Sequence, residues 1–230
     1  PYASIDGTLS TSSPKEDTAW IEVVPKTAIK PDTHNFIEVK SWERLNYIRF
    51  NIYPDGGVAR LRIYGHPIPA WQQHNPLGVH ELSAITNGGH IVGYNDAHYG
   101  NPWVILSQGR GVDMGDGWET KRRREPGNDW IIIALGARGV IERIELDTAH
   151  FKGNYPDRCS VEATTLEDTN ETSLIHEHVN WLNLMDEQKL SMDRIHTFES
   201  DKINSIGPAT HLRLSIYPDG GVSRFRAFGR

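Results

Sequence analysis

Apolar and polar residues alternate with a period of two in four short stretches of the chain, which predicts β-strands with one apolar face. The stretches form two pairs, and the tetrapeptide Pro-Asp-Gly-Gly separates the two members of each pair. Because Pro, Asp and Gly strongly favour tight turns, the pattern predicts a β-hairpin at each pair. The four stretches are 48–52, 59–63, 212–216 and 225–227.

Arginines alternate with the apolar residues in the strand that follows each turn. They are Arg60 and Arg62 in the first pair, and Arg224 and Arg226 in the second. One interpretation is a solvated sheet face on which the guanidinium groups stack against tyrosine. The other is a contact with a ligand or with another subunit, and the sequence leaves both open.

Further strands are predicted in the second half of the chain. Residues 130–135, Trp-Ile-Ile-Ile-Ala-Leu, are β-branched and lie between glycines, which is typical of a buried strand. Residues 136–139 are predicted to form a turn. Beyond that turn, Val140, Ile144 and Leu146 alternate with Ile141, Arg143 and Glu145, which predicts a further strand.

One segment is ambiguous from its periodicity alone. Residues 173–188 suit a helix, but their repeat counterpart, residues 20–25, is strand-like, which favours a strand at residues 179–185. Many short strands, Gly/Pro turns and few helical windows together predict an all-β protein. We expect antiparallel β-sandwich architecture of the jelly-roll type.

An internal repeat organises these elements. Residues 49–62 return with few changes as residues 213–226, and weaker matches pair 4–6 with 160–162 and 20–21 with 181–182. Such self-similarity indicates a duplicated unit. We expect residues 1–66 to be the C-terminal half of a first domain whose front half is absent from the chain. Residues 67–79 are then a linker, and residues 80–230 a complete second domain.

Composition restricts the partners. The 230 residues carry a formal net charge of −6 and no basic tail, which argues against binding to nucleic acid. No apolar run approaches the roughly 20 residues of a membrane helix, and no signal peptide is visible. Cys159 is the single cysteine, so no internal disulfide can form. We expect a protein of the cytoplasm, with the peroxisome left open.

The chemistry is concentrated in residues 109–130. Residues 109–119 contain four glycines that favour tight turns and close approach to a ligand, and three acids. Four consecutive cations follow, and two tryptophans bracket them. A structural loop needs the glycines but not dense charge of both signs, so the segment predicts a site for a small polar anion, with a charged surface loop as the alternative. The charged and aromatic residues on which this prediction rests are Asp113, Asp116, Trp118, Glu119, Lys121, Arg122, Arg123, Arg124 and Trp130.

Arg122 and Arg123 are natural clamps for a carboxylate, because a guanidinium group can donate two parallel hydrogen bonds to it. Adjacent residues of a strand point to opposite faces, so we expect only one of them to reach the pocket. Asp116 or Glu119 would act as general acid or base if burial raised its pKa. A salt bridge to the neighbouring arginines would lower that pKa instead, and both outcomes are open.

A second polar segment, residues 147–156, contributes His150 and Asn154. The imidazole is suited to proton transfer near neutral pH, and the amide is suited to hydrogen bonding with a urea-like group. The tripeptide His176-Glu177-His178 would place two imidazoles on one face of a strand, but further ligands cannot be named. We therefore predict no metal site and no cofactor, and leave participation of a divalent metal open.

The sequences D-G-W-E-T-K-R-R-R at 116–124 and D-T-A-H-F-K-G-N-Y-P at 147–156, with the duplicated I-Y-P-D-G-G-V-x-R-x-R, resemble the allantoicase family. The resemblance covers essentially the whole chain. It implies two tandem jelly-roll domains similar to galactose-binding modules, oligomeric assembly, and hydrolysis of allantoate to ureidoglycolate and urea in purine degradation. One departure is that the first domain has no copy of the G-W-E-T segment.

The resemblance and the residue chemistry together suggest roles. One of the two arginines would hold the substrate carboxylate and one of the two acids would transfer the proton. The complete set of site residues is Glu119, Asp116 and His150 for catalysis, and Arg122, Arg123, Asn154 and Trp118 for substrate binding. A competing hypothesis is a non-catalytic jelly-roll module that binds carbohydrate or anions, with Trp118 and Trp130 as stacking platforms. A third is a catalytically silent scaffold that serves assembly.

Overall fold

The structure is a computed structural model that describes residues 1–10, 13–41, 43–69, 71, 75, 77–166, 171–176 and 179–230. These residues form two compact units, Pro1–Gly65 and His66–Arg230. Nearly all regular structure in the described ranges is β-strand, which confirms the predicted all-β class. A helix that could cross a bilayer is not found there, since none combines the necessary length with sufficient apolar character.

The first unit contains one antiparallel sheet of three strands, β1 (Tyr2–Thr8), β2 (Ile21–Ala28) and β3 (Tyr47–Tyr53). Their order is β2-β1-β3. The most buried apolar side chains on this sheet are Ala3 and Val24. The hairpin predicted after β3 is wrong, because residues 54–65 contain no strand and Arg60 and Arg62 are exposed.

The second unit contains eleven strands among the described residues, together with one short α-helix and two short 3-10 turns. The strands are β4 (His80–Glu81), β5 (His90–Tyr94), β6 (Trp118–Glu119), β7 (Asp129–Gly139), β8 (Ile141–Asp147), β9 (Arg158–Thr164), β10 (Leu182–Lys189), β11 (Ile195–Phe198), β12 (Ala209–Tyr217), β13 (Gly221–Val222) and β14 (Arg224–Gly229). The helix is α1 (Ser173–His176), and the 3-10 turns are Ile85–Asn87 and Pro102–Leu106.

These strands build two main antiparallel sheets. One has five strands in the order β10-β9-β12-β7-β5 and the other has four in the order β11-β8-β14-β4, while β13 and β6 form a separate pair. A single apolar cluster contains side chains of both main sheets, such as Ile131 and Leu212 of the first and Leu146 and Phe225 of the second. The arrangement is a β-sandwich, as predicted.

The hairpin predicted in the second unit is also wrong. Strand β12 pairs with β7 and β9, whereas β14 pairs with β8 and β4, so the Pro-Asp-Gly-Gly connection passes the chain from one sheet to the other. The residues of a turn determine that the chain changes direction. They do not determine which strand pairs with the strand that follows the turn. The predicted inward faces are confirmed, because the side chains of Leu212, Leu214, Ile216, Phe225 and Ala227 are fully buried.

The turn predicted at residues 136–139 is wrong, because β7 continues to Gly139. A Cβ atom on Gly136 would lie 1.9 Å from the carbonyl oxygen of Asn87, so this glycine permits close approach of another segment within a strand. Strand β7 ends at Gly139 and β8 begins at Ile141. Val140, which lies between them, is exposed, whereas Ile141 is buried.

The strand predicted at residues 179–185 begins later, since β10 starts at Leu182 and α1 lies before it. The internal repeat is visible in the sheets. The order β2-β1-β3 of the first unit is the order of the equivalent strands β10-β9-β12 in the second. The sequence match therefore corresponds to a repeated three-strand arrangement.

Candidate functional site

The polar segment 109–117 is held against the second unit by hydrogen bonds from distant residues. Arg226 donates to the carbonyl oxygen of Gly109, and His150 Nε2 donates to that of Gly111 over 2.8 Å. Arg110 in turn donates from Nε to Asp147 Oδ2 over 3.0 Å, and the Asp147 side chain is only 2% exposed. Residues 109–111 are thus tied to distant parts of the second unit, while residues 112–115 are exposed.

Asp116 forms the central contact of this segment. Its Oδ2 lies 2.7 Å from Arg224 Nη2, and Arg224 Nη1 donates to the Asp116 carbonyl oxygen over 2.8 Å. Burial raises the pKa of Asp116, since it disfavours the charged form. Hydrogen bonds from Arg224 and from the backbone N–H of Val112 outweigh this effect, so the net pKa lies below its ordinary value.

The sequence prediction left the protonation of Asp116 open between burial and a salt bridge. The structure shows the salt bridge, but its partner is Arg224 and not the neighbouring run of arginines. Arg224 is 3% exposed, so the interpretation of this arginine as part of a solvated sheet face is wrong.

Gly111 shows what a glycine contributes to this segment. A Cβ atom there would lie 2.3 Å from Ser223 Oγ and 3.1 Å from the carbonyl oxygen of Asp116. The sequence prediction gave the glycines the role of admitting a ligand. At Gly111 the missing side chain instead lets the segment pack against residues that precede and form β14.

Glu119 and Asn154 come together as a pair. Strand β6 pairs with β13, which places Glu119 opposite Gly221. The Gly221 N–H donates to the Asn154 carbonyl oxygen over 2.8 Å, and Asn154 Nδ2 donates to Glu119 Oε1 over 2.5 Å. Both side chains are half-buried, so the other carboxylate oxygen of Glu119 is available for a further contact.

The two candidate arginines differ in their surroundings. Arg123 Nη2 lies 2.5 Å from Asp129 Oδ1, and the side chain of Asp129 is 2% exposed. The hydrogen bond to Asp129 raises the pKa of the Arg123 guanidinium above its ordinary value. Arg122 is exposed, and within the described part of the chain its side chain has no hydrogen bond or ion pair. Of the two, Arg122 is the guanidinium free to bind an anion.

His150 joins the same cluster through its backbone and its ring. It adopts a left-handed conformation with φ of 70°, and its N–H donates to Asp193 Oδ1 over 2.9 Å. This backbone hydrogen bond lowers the pKa of Asp193. Its ring is anchored to the carbonyl oxygen of Gly111, five residues before Asp116 in the same segment.

Trp118 does not lie at an accessible surface, which corrects its assignment to substrate binding. Its side chain is 0% exposed, and Nε1 donates to the carbonyl oxygen of Asp96 over 2.8 Å. Because Trp118 alternates with Glu119 along β6, its burial in the core turns the Glu119 side chain outward. Its role in this conformation is to position Glu119.

Sequence reasoning gave no site role to three residues that organise the cluster, namely Arg224, Asp147 and Asp96. Asp96 accepts from the backbone N–H of Lys121 over 2.7 Å. No local pattern marks Arg224, since Arg226 has the same place in the alternation. Asp147 lies in the same polar segment as His150, so its position in the sequence could have indicated a role in the site. Among the described residues, no group of three or more His, Cys, Asp or Glu is arranged to hold a metal. The side chains of His176, Glu177 and His178 lie outside the described part of the structure.

Comparisons with known proteins place the chain in a family. The protein-family model described as "Allantoicase repeat" matches residues 1–68 and 80–230. The chain is 48% identical over 230 residues to "Probable allantoicase 1" of Burkholderia mallei, covering all of this chain and 68% of that protein. It is 46% identical to "Probable allantoicase" of Pseudomonas savastanoi pv. phaseolicola, covering all of this chain and 70% of that protein.

Solved structures show the same relationship. The crystal structure of allantoicase from Saccharomyces cerevisiae matches with a TM-score of 0.77 and 35% identity, covering 100% of this chain and 68% of that one. A second solved allantoicase matches with a TM-score of 0.78 at the same identity and coverage. The family model, the curated relatives and the solved structures all match along the whole length that carries the repeat and the polar cluster, and the chain therefore belongs to the allantoicase family.

Proposed function

We propose that this protein hydrolyses allantoate to ureidoglycolate and urea, as a step of purine degradation. The observation that carries the proposal is the 35% identity to solved allantoicases, with TM-scores of 0.77 and 0.78, over 100% of the chain. The relatives named probable allantoicases, which are 46–48% identical, support it.

The substrate defines what the site must supply. Allantoate carries one carboxylate and two ureido groups on a single carbon. Its hydrolysis breaks one bond between that carbon and a ureido nitrogen, water supplies the new hydroxyl group, and the nitrogen that leaves as urea must receive a proton. A suitable site therefore needs a cation for the carboxylate, polar partners for the ureido groups and a proton-transferring side chain.

Arg122 is our choice for the carboxylate. Its guanidinium is exposed and has no partner within the described residues, whereas the guanidinium of Arg123 is engaged by Asp129 over 2.5 Å. A guanidinium group matches a carboxylate through two parallel hydrogen bonds, which fixes orientation as well as binding. We assign Arg123 to the support of the site through Asp129.

Glu119 is our choice for proton transfer. Asn154 holds one oxygen of its carboxylate over 2.5 Å, which orients the group and leaves the other oxygen for the substrate. Asp116 is less suited to donating a proton near neutral pH, because the net effect of its surroundings keeps its pKa low. We propose that the charge of Asp116 holds the segment 109–117 in place. We propose that His150 anchors Gly111 of the same segment.

The proposed roles are all filled by side chains of the second unit, so we propose that the reaction needs no cofactor. Dialysis against EDTA followed by the activity assay would test this, and a loss of rate that Mn²⁺ or Zn²⁺ restores would refute it. We further propose a homo-oligomer in the cytoplasm, with residues 80–230 as a complete repeat. Light scattering on the purified chain tests the oligomeric state.

The proposed reaction is tested by incubating the purified chain with allantoate and measuring urea colorimetrically. We expect release of one urea per ureidoglycolate formed. Allantoin serves as the control substrate, because its ring lacks the free carboxylate. Absence of urea release by a folded chain that is assembled in solution would refute the proposed function for this chain.

A further inference from the structure

The Pro-Asp-Gly-Gly turn of the second unit, which ends at Gly221, contacts both polar segments of the candidate site. The N–H of Gly220 donates to Thr120 Oγ1, and its carbonyl oxygen accepts from the Thr120 N–H, both over 3.1 Å. On the other side of the turn, the Gly221 N–H donates to the Asn154 carbonyl oxygen over 2.8 Å. The turn therefore links the segment that carries Glu119 to the segment that carries Asn154.

Two glycines allow this close fit. A Cβ atom on Gly220 would lie 2.6 Å from the backbone nitrogen of Pro156, and one on Gly221 would overlap the ring of Phe151. Gly56, the counterpart of Gly220 in the first unit, has a φ of 142° against 140° for Gly220. A Cβ atom on Gly56 would have no described atom within 4 Å beyond its chain neighbours. The backbone at this glycine is thus the same in both copies, and the second copy is packed against the candidate site.

Asp219, the acid of this turn, holds the backbone beside Arg122. Its Oδ2 accepts from the Arg123 N–H over 2.8 Å. That N–H belongs to the peptide group that also contains the carbonyl of Arg122, and a peptide group is planar. The hydrogen bond therefore fixes the plane in which the Cα atom of Arg122 lies.

A second carboxylate holds the chain on the other side of Arg122. Asp96 Oδ2 accepts from the Lys121 N–H over 2.7 Å. The backbone is thus tied one residue before Arg122 and one residue after it, while the Arg122 side chain is exposed. A guanidinium group on a fixed backbone loses less conformational entropy on binding an anion than one on a mobile loop. Of the two carboxylates, Asp219 belongs to the turn that also contacts Asn154.

We propose that Asp219 is a positioning residue of the reaction, which sets the place of Arg122 relative to the Glu119–Asn154 pair. The inference rests on the proposed function, because its effect is on the binding of the allantoate carboxylate by Arg122. Asp219 acts only through the backbone that it holds. Its counterpart in the first unit, Asp55, has no side-chain hydrogen bond or ion pair within the described residues, so Asp55 provides a matched control.

Steady-state urea release by Asp219→Ala tests this role. We expect KM for allantoate to rise about tenfold and kcat to stay within a few-fold, because a misplaced clamp weakens carboxylate binding without removing the proton-transferring side chain. Asp219→Asn should keep KM within about threefold of wild type, since its amide oxygen still accepts from the Arg123 N–H. Asp55→Ala should change neither constant.

A double-mutant cycle shows whether the effect passes through Arg122. In the Arg122→Ala background, Asp219→Ala should cause no further rise in KM, because the side chain that Asp219 positions has been removed. Additive rises in KM would overturn the proposal. So would an unchanged KM in Asp219→Ala, a loss of kcat alone, equal effects of Asp219→Ala and Asp55→Ala, or failure of Asp219→Asn to keep KM low.

Should Asp219→Ala fail to fold, as judged by circular dichroism, Asp96→Ala is the second variant. It releases the backbone on the other side of Arg122, so it should raise KM in the wild-type background and not in the Arg122→Ala background. An equal rise in both backgrounds would again contradict the proposal.

Hydrogen–deuterium exchange of the same variants, measured without allantoate, separates this inference from the reaction. The Arg123 amide should exchange faster in Asp219→Ala than in wild type or Asp219→Asn, because its N–H has lost the acceptor. Equal exchange would overturn the inference whether or not the protein releases urea. Faster exchange in Asp219→Ala together with no urea release by wild type would refute the proposed reaction and leave the positioning of the Arg122 backbone standing.

Discussion

Arg224 and Asp116 are 108 residues apart in the sequence, and their side chains form a 2.7 Å ion pair. The guanidinium is 3% exposed and binds both the carboxylate and the main-chain oxygen of Asp116. A strand of the sandwich is thereby tied to the segment that leads into β6. Because Glu119 lies three residues after Asp116, the pair positions the proposed catalytic carboxylate from outside the reaction site.

Replacing Asp116 by asparagine should destabilise the protein by about 2 kcal/mol near neutral pH, because the charge of Arg224 stays buried without its counter-ion. The folded-state pKa of Asp116 lies below its ordinary value of 3.8. Its stabilising contribution is therefore complete above pH 3.8 and decreases as the pH falls below that value towards the folded-state pKa.

The measurement is urea denaturation of wild type and Asp116→Asn at pH 7 and at several values below pH 4. The difference in unfolding free energy should narrow at the acid end. Asp201→Asn is the control, since the Asp201 side chain is 72% exposed and should show little difference at any pH. A gap that stays constant down to pH 2 would contradict the ion-pair account.

Replacing Glu119 by glutamine should lower kcat for allantoate about 100-fold or more and leave KM within a few-fold, because the isosteric amide keeps the shape but transfers no proton. Steady-state urea release provides both constants. Glu125→Gln is the matched control, as Glu125 is an exposed acid of the same region. Near-normal turnover by Glu119→Gln would remove Glu119 from the proton-transfer role.

Replacement of Arg122 and replacement of Arg123 should have different effects. Arg122→Ala should raise KM about 10- to 100-fold without changing the unfolding free energy, because it removes a clamp that has no structural partner. Arg123→Ala should instead destabilise the fold by about 3 kcal/mol, because Asp129, 2% exposed, would keep a buried charge without its counter-ion.

Steady-state kinetics and denaturation curves of the same preparations measure both quantities. Arg124→Ala should change neither, since Arg124 is exposed in the same run of cations. If Arg123→Ala raised KM while keeping full stability, the assignment of the two arginines would be reversed.

Cys159 should be inert in the folded protein. Its side chain is 0% exposed, and burial raises the pKa of the thiol to about 12. Since the thiolate is the reactive form, labelling with DTNB at pH 8 should be negligible in the native state and complete in guanidinium chloride. Cys159→Ser should lower the unfolding free energy by about 1–3 kcal/mol, because a hydroxyl group in an apolar core lacks partners. Rapid stoichiometric labelling without denaturant would show that the core opens at this position.

Local sequence patterns predicted much of the fold. The alternation at 212–216 correctly predicted which side chains face the core, since an extended strand places every second residue on one side. The repeat correctly indicated that strands of the first unit have counterparts in the second. The same patterns could not predict that β12 and β14 belong to different sheets, because a turn sequence constrains four residues and not the partner of the next strand.

The candidate site was likewise only partly predictable from the sequence. The sequence by itself determined which residue types are present and that two polar segments, 109–130 and 147–156, carry the chemistry. Only the tertiary structure decided that Asn154 reaches Glu119, that Arg123 is engaged by Asp129, and that Trp118 is buried. Periodicity is a property of neighbouring residues, whereas burial and pairing depend on segments that are distant in the chain. Which charges are free to meet a ligand is therefore decided by the contacts that folding brings together.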